Sequence, residues 1–180
     1  MTPLTPQAEV LILQHPLEQH HPKGSARLLH LSLSGSVLLT GETFEQEALH
    51  EHLGGTPSRR PVSRPILLYP DSEGLDLAPA LTSAEMTADK LRLVILDGTW
   101  RKSRKMLHLN PVLQTLPRLS LENLPPSRYA IRRARRDNHL STLEAACHAL
   151  AMIERDDMKY RPLLLAFERF IEMQQQWFKS

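Results

Sequence analysis

Residues 91–100 read LRLVILDGTW. Apart from Arg92 the first six are apolar, with no alternation of polar and apolar positions, and an Asp-Gly pair then stops the run. A short apolar run closed by a turn signal marks a strand buried on both faces, here 91–96. Runs of the same kind stand at 8–13 (AEVLIL), 36–39 (SVLL) and 66–69 (ILLY), the first followed by His15-Pro16 and the last by Pro70. Between them, apolar residues at helical spacing give expected helices at 26–33, 44–52, 79–86 and 100–107. Two further strands are expected at 119–121 and 129–132. Ser141-Thr142-Leu143-Glu144 has the form of a capping box and opens a helix to about 155. Pro162 suits the first turn of a last helix to 177. Short apolar strands separated by helices give an α/β fold, a mostly parallel sheet flanked by helices. A chain of 180 residues is enough for one core and short for two, so a single domain over 1–180 is expected.

Composition narrows the classes further. With 41% hydrophobic and 23% charged residues, disorder is not the dominant state. The longest apolar runs, 163–167 and 93–96, fall far below the roughly 20 residues needed to span a bilayer. The opening MTPLTPQAEV lacks a basic segment followed by an apolar one, so no secretory signal is read. The expectation is a soluble, cytoplasmic protein that does not engage a membrane. The single cysteine, Cys147, makes neither an internal disulfide nor a cysteine-based zinc site. His15, His20 and His21 cluster without an HExxH pattern, and no metal is expected. Gly-x-Gly-x-x-Gly, the P-loop pattern and Gly-x-Ser-x-Gly are all absent.

Charge is uneven along the chain. Residues 97–136 hold ten Lys/Arg against two acids, a balance of +8, and the remainder holds 12 against 18, or −6. One face for a polyanion on an acidic body would produce this, as would a solvated helix followed by a basic loop. Arg101, Lys102, Arg104 and Lys105 fall on two adjacent sides of one expected helix. Arg132, Arg133, Arg135 and Arg136 extend the same field if their loop lies nearby, and such contacts position a nucleic acid without reading its sequence.

In open parallel sheets ligands bind beyond the carboxyl ends of strands. Three such ends carry chemistry here: Tyr69-Pro70-Asp71, Asp97-Gly98-Thr99-Trp100, and the basic loop Arg132–His139 leading to Ser141. A partly buried carboxylate at Asp97 suits a general base, although Asp-Gly also forms plain turns and helix caps. Trp100 suits stacking on a base or adenine ring, and equally core packing. The helix start at Ser141, Thr142 and Glu144 offers amides to an anionic group, or simply caps itself.

At DGTW the sequence resembles the DTW-domain proteins, named for an Asp-x-Thr-Trp motif. Matching blocks are Leu13-Gln14-His15-Pro16 with His21-Pro22-x-Gly24-x-Ala26-Arg27, then Leu67-Leu68-Tyr69-Pro70, and Leu140-Ser141-Thr142-Leu143-Glu144-Ala145. They stand in the family's order over about 11–150. Many members also carry an N-terminal cysteine cluster that looks like a zinc site, which this sequence lacks. The resemblance implies a SPOUT-like fold with a C-terminal trefoil knot and an aminocarboxypropyltransferase acting on tRNA. S-adenosylmethionine would be the donor and uridine N3 the acceptor, with no metal. Asp97 would then be the base or would orient N3–H. Leu68, Tyr69, Pro70, Gly98, Thr99, Trp100, Ser141, Thr142 and Glu144 would form the donor site. Arg101, Lys102, Arg104, Lys105, Arg132 and Arg133 would engage tRNA phosphates. A SPOUT-type RNA methyltransferase and a non-catalytic RNA-binding module are the alternatives. The last helix suits packing within a monomer or across a homodimer.

Overall fold

The alternation of side chains along β-strands determines where every layer of this protein lies. In the computed structural model, which describes residues 2–20, 24–54, 63–70, 91–121 and 140–177, the strands are β1 (Glu9–Gln14), β2 (Val37–Thr40), β3 (Arg64–Leu68), β4 (Leu91–Asp97) and β5 (Arg118–Leu119). They pair in the order β2-β1-β4-β3-β5, and every pairing is parallel. The helices are α1 (Ser25–Ser32), α2 (Gln46–His52), α3 (Trp100–Leu109), α4 (Thr142–Glu154) and α5 (Arg161–Trp177).

Successive strand residues point to opposite faces. Val10, Ile12, Ile66, Leu93 and Ile95 share one core with α1, α4 and α5. Leu11, Leu13, Leu67 and Val94 share another with α2 and α3. Helices therefore cover both faces, which is why β1 and β4 read as nearly unbroken apolar runs. The polar exception in β4 is explained by register: Arg92 lies opposite Glu9 of β1 and forms an ion pair with it.

The strands and helices expected from the sequence form within about two residues of their bounds, with exceptions. Tyr69 follows β3 and does not belong to it, and two 3-10 turns, Pro16–Glu18 and Pro111–Thr115, lay outside the sequence reading. Each turn opens on a proline, whose fixed φ favours a tight turn and whose missing N–H is no loss there. The expected helix at 79–86 and strand at 129–132 lie outside the described residues.

The order of strands positions the site. After β1 the chain goes by α1 to β2 at one edge, and after β4 it goes by α3 past β3 to β5 at the other. The connections diverge at the carboxyl ends of β1 and β4, the point where open α/β sheets leave a crevice.

Candidate active site at the carboxyl ends of β1 and β4

Register and alternation together build the centre of the crevice. Gln14 ends β1 opposite Asp97, which ends β4. Both continue the alternate positions of Ile12 and Ile95, so both side chains emerge on the face covered by α4. There Gln14 Nε2 donates to Asp97 Oδ2 at 3.0 Å, and Thr142 Oγ1, at the start of α4, donates to Asp97 Oδ1 at 2.6 Å. The Asp97 carbonyl also accepts from the His15 N–H at 2.9 Å. Asp97 is 7% exposed, so its carboxylate is fixed on both oxygens and at its backbone before any ligand arrives. Each oxygen has taken one donor and retains acceptor capacity for another.

Thr142 is in place because the capping box forms at the start of α4. Ser141 Oγ accepts from the Glu144 N–H at 3.3 Å, and the Ser141 N–H donates to Glu144 Oε2 at 2.8 Å. Glu144 is thus engaged with the helix start and is buried.

On the opposite side of the strand ends, His15 caps the Pro16–Glu18 turn. Its Nδ1 accepts from the Leu17 N–H at 3.2 Å, so the neutral ring carries its proton on Nε2 and donates it to Glu42 Oε1 at 2.9 Å. Lys105 Nζ of α3 approaches the same Glu42 oxygen at 3.0 Å. The His15 hydrogen bond first, and the Lys105 ammonium second, hold the Glu42 carboxyl below the usual carboxylate range. The capped turn delivers Glu18, whose Oε1 accepts from Lys102 Nζ at 2.7 Å.

Glu18, Gly24, Ser25, Asp97, Gly98, Thr99, Leu140, Ser141 and Thr142 enclose an open pocket of about 250 Å³. Gly24, Thr99 and Ser141 are the N-cap residues of α1, α3 and α4, so three helix N-termini converge on it. First-turn amides have no intrahelical partner and carry positive dipole character, which favours an anionic group. Asp97 and Glu18 supply the opposite sign. A pocket with both signs is complementary to a zwitterion. Gly98 allows the close approach of β4 to α3: a Cβ on it would lie 3.1 Å from Lys102 Cβ.

Among the expected donor-site residues, the described pocket therefore gathers Gly98, Thr99, Ser141 and Thr142 around Asp97, with Glu144 behind them. Leu68 packs against the core on the α4 side. Tyr69 is buried, lies 3.5 Å through its hydroxyl from Ser103 Oγ, and has its phenol pushed above the usual range by burial. The Pro70 carbonyl accepts from Arg118 Nη1 at 3.2 Å. Trp100 stacks on Tyr69 with ring centroids 5.3 Å apart and planes 21° from parallel, and is 48% exposed. Neither ring lines the pocket.

The basic residues separate into two groups. Lys102 and Lys105 are paired with Glu18 and Glu42, whereas Arg101 and Arg104 are exposed and have no acidic partner among the described residues. Arg132, Arg133, Arg135 and Arg136 lie outside the described residues. Among the described residues no three His, Cys, Asp or Glu side chains gather to hold a metal, and no helix is long and apolar enough to cross a membrane. Cys147 is buried in α4, and burial pushes its thiol up to about 12.

Gln14, Glu18, Gly24, Ser25 and Glu42 received no role from the sequence alone. Gln14 and Gly24 do stand in the blocks shared with the DTW-domain proteins. Their functional signal is their position, Gln14 at the end of a buried strand and Gly24 directly before a helix.

Comparison with known proteins places these features. The profile described as "DTW domain" matches residues 1–175. The chain belongs to the DTW domain family. It is 30% identical over 151 residues to tRNA-uridine aminocarboxypropyltransferase 2 of Drosophila melanogaster, covering 82% of this chain and 57% of the relative. To the Macaca fascicularis protein of the same name it is 26% identical over 176 residues, covering 97% of this chain and 57% of the relative. The chain thus spans a little over half the length of these curated relatives. No solved structure matches it at a significant level. Its Asp-x-Thr-Trp motif is the turn from β4 into α3.

Proposed function

We propose that this DTW-domain protein is a tRNA-uridine aminocarboxypropyltransferase that uses S-adenosylmethionine as donor and uridine N3 as acceptor. The observation that carries the reading is the buried Asp97 carboxylate, held by Gln14 and Thr142 on the wall of a pocket lined by three helix N-termini. The names of the relatives support the reaction class. The chemistry of the pocket supports the donor, whose amino-acid end is a zwitterion beside a sulfonium. In this reading the amides at the starts of α1, α3 and α4 hold the donor carboxylate, and Glu18 and Asp97 face its cationic groups. About 250 Å³ is below the roughly 300–1,000 Å³ of pockets that bury a drug-sized ligand. The described pocket therefore suits one end of the donor, and the amino-acid end is the end whose charges match.

The bound donor supplies an electrophilic carbon whose leaving group departs as a neutral thioether. No acid is needed to protonate that leaving group, and a single base suffices. Asp97 takes the proton from uridine N3 as the N3–carbon bond forms. Its two hydrogen-bond donors keep its remaining lone pairs in one direction, so the geometry needs no reorganisation during the step. Placement of the acceptor relative to the sulfonium decides which carbon is attacked. The all-parallel sheet with its site at the carboxyl ends also supports a SPOUT-like fold, for which we propose a C-terminal knot. Both proposed reactants are intracellular, which supports a cytoplasmic location.

The test is incubation of the purified protein with S-adenosylmethionine and unmodified tRNA, followed by mass spectrometry of the digested nucleosides. A uridine heavier by one aminocarboxypropyl group, with methylthioadenosine released, is the expected result. A methylated nucleoside with S-adenosylhomocysteine would replace the reading by a methyltransferase. Donor binding without any product would replace it by an RNA-binding module.

A further inference from the structure

Trp100 occupies an unusual position for the largest side chain of the motif. It begins α3, directly after the pocket residues Gly98 and Thr99, yet it lines no part of the pocket and leaves about half of its surface open. One ring face is already occupied, by Tyr69, which is only 3% exposed and is fixed beneath it. A ring backed by a buried aromatic and open to solvent loses little freedom when a second planar group stacks on it.

The surroundings specify the planar group. Trp100, Arg104 and His108 succeed one another at helical i, i+4 spacing and are all exposed, and Arg101 is exposed beside them. Lys102 and Lys105 are paired with carboxylates, so among the described residues the α3 cations left to a partner are the two guanidinium groups beside the ring. An aromatic face followed by arginines is the arrangement that binds single-stranded nucleic acid, the base on the ring and the phosphates on the cations. We infer that the outward face of Trp100 is a stacking platform for an unpaired base of the RNA acceptor, with Arg101 and Arg104 on its phosphates. This rests on the aminocarboxypropyltransferase reading for the identity of the RNA, and it moves Trp100 from the donor's side of the turn to the acceptor's side.

The experiment uses the full chain carrying Trp177→Phe, which leaves Trp100 as the single tryptophan. Its fluorescence is titrated with a short oligouridylate and with an abasic oligomer of the same length. Saturable quenching by the first and not by the second is expected. Equal quenching by both, or none by either, would overturn the platform. In the complete enzyme, Trp100→Ala is expected to lower kcat/KM for tRNA about ten-fold, the size of one lost base stack, with donor Kd unchanged. Trp100→Phe is expected to recover most of that loss. A change in donor Kd with an unaltered KM for tRNA would return Trp100 to the donor site and end the proposal. Base-dependent quenching in a protein that forms no aminocarboxypropyluridine would sustain the platform while removing the reaction.

Discussion

Helices α3 and α4 both begin at the pocket, with Thr99 and Ser141 as their N-caps, and from there their sequences diverge. α3 reads WRKSRKMLHL and buries Ser103, Met106 and Leu107; its other side chains are exposed or partly so. α4 reads TLEAACHALAMIE and buries Leu143, Glu144, Ala146, Cys147, Ala149, Leu150, Ala151 and Ile153. Both starts face the pocket, α4's with its Glu144 amide taken by Ser141 and α3's without a side-chain cap, and the bodies of the two helices differ further. α4 is anchored in the core and keeps Thr142 against Asp97. α3 lies over the other face of the sheet and turns Trp100, Arg101 and Arg104 outward. In the proposed reading, the helix anchored in the core positions the carboxylate and the charged helix faces the RNA.

That division can be broken most forcefully at the carboxylate itself. Asp97→Asn keeps the volume, and Gln14 can turn its amide to present oxygen to the new side chain, so folding is expected to survive. Transfer should fall by about 10²–10⁴-fold, the usual contribution of a positioned base, with donor Kd changed only a few-fold. Undiminished turnover would take Asp97 out of the reaction. The next largest effect separates the helices by stability. Leu150→Ala on α4 is expected to cost about 2–5 kcal/mol in denaturant unfolding, whereas Arg104→Ala on α3 should stay within about 0.5 kcal/mol. Similar losses for the two would erase the distinction.

A smaller effect is expected at the cap. Ser141→Ala should cost about 1 kcal/mol, and it should also reduce transfer, because Thr142 is held by the same turn. Loss of stability with full activity would show that Thr142 does not depend on the box. The smallest effect is in acid. Glu42 has its carboxyl lowered by His15 and Lys105, so its stabilisation is present above the unfolded value and is lost as pH falls through the folded one. Glu42→Gln should therefore flatten the pH dependence of unfolding below about pH 4, and added salt should blunt the contribution. An unchanged acid limb would show that this cluster adds nothing to stability.

Much of the fold is legible in the sequence because parallel strands buried on both faces are spelled as unbroken apolar runs. β1, β3 and β4 announce themselves in this way, and α4 announces its start through Ser141 and Glu144. The two 3-10 turns were less visible, because a proline after a strand signals a stop but does not specify the conformation of the next few residues. The site was half legible. Asp97 stands out as a carboxylate after an apolar strand, but its partners depend on register, and no local pattern in LQHP says that Gln14 will face it. Nor does any local pattern say that Tyr69 will slide under Trp100, since their stacking arises from the packing of α3 over the end of β3. The role of Cys147 was also a matter of surroundings. Its burial among α4's apolar residues settles it as a packing residue with a reluctant thiol.

The cap made by His15 has one more consequence. Because Nδ1 is occupied as an acceptor by a backbone amide and Nε2 as a donor by Glu42, the imidazole is locked in a single tautomer. Its two nitrogens should therefore resonate as one pyridine-type and one pyrrole-type signal, where a freely exchanging ring would give averaged ones. That pair of signals is an internal gauge, readable without any ligand or substrate, of whether the turn after β1 and the segment after β2 are assembled.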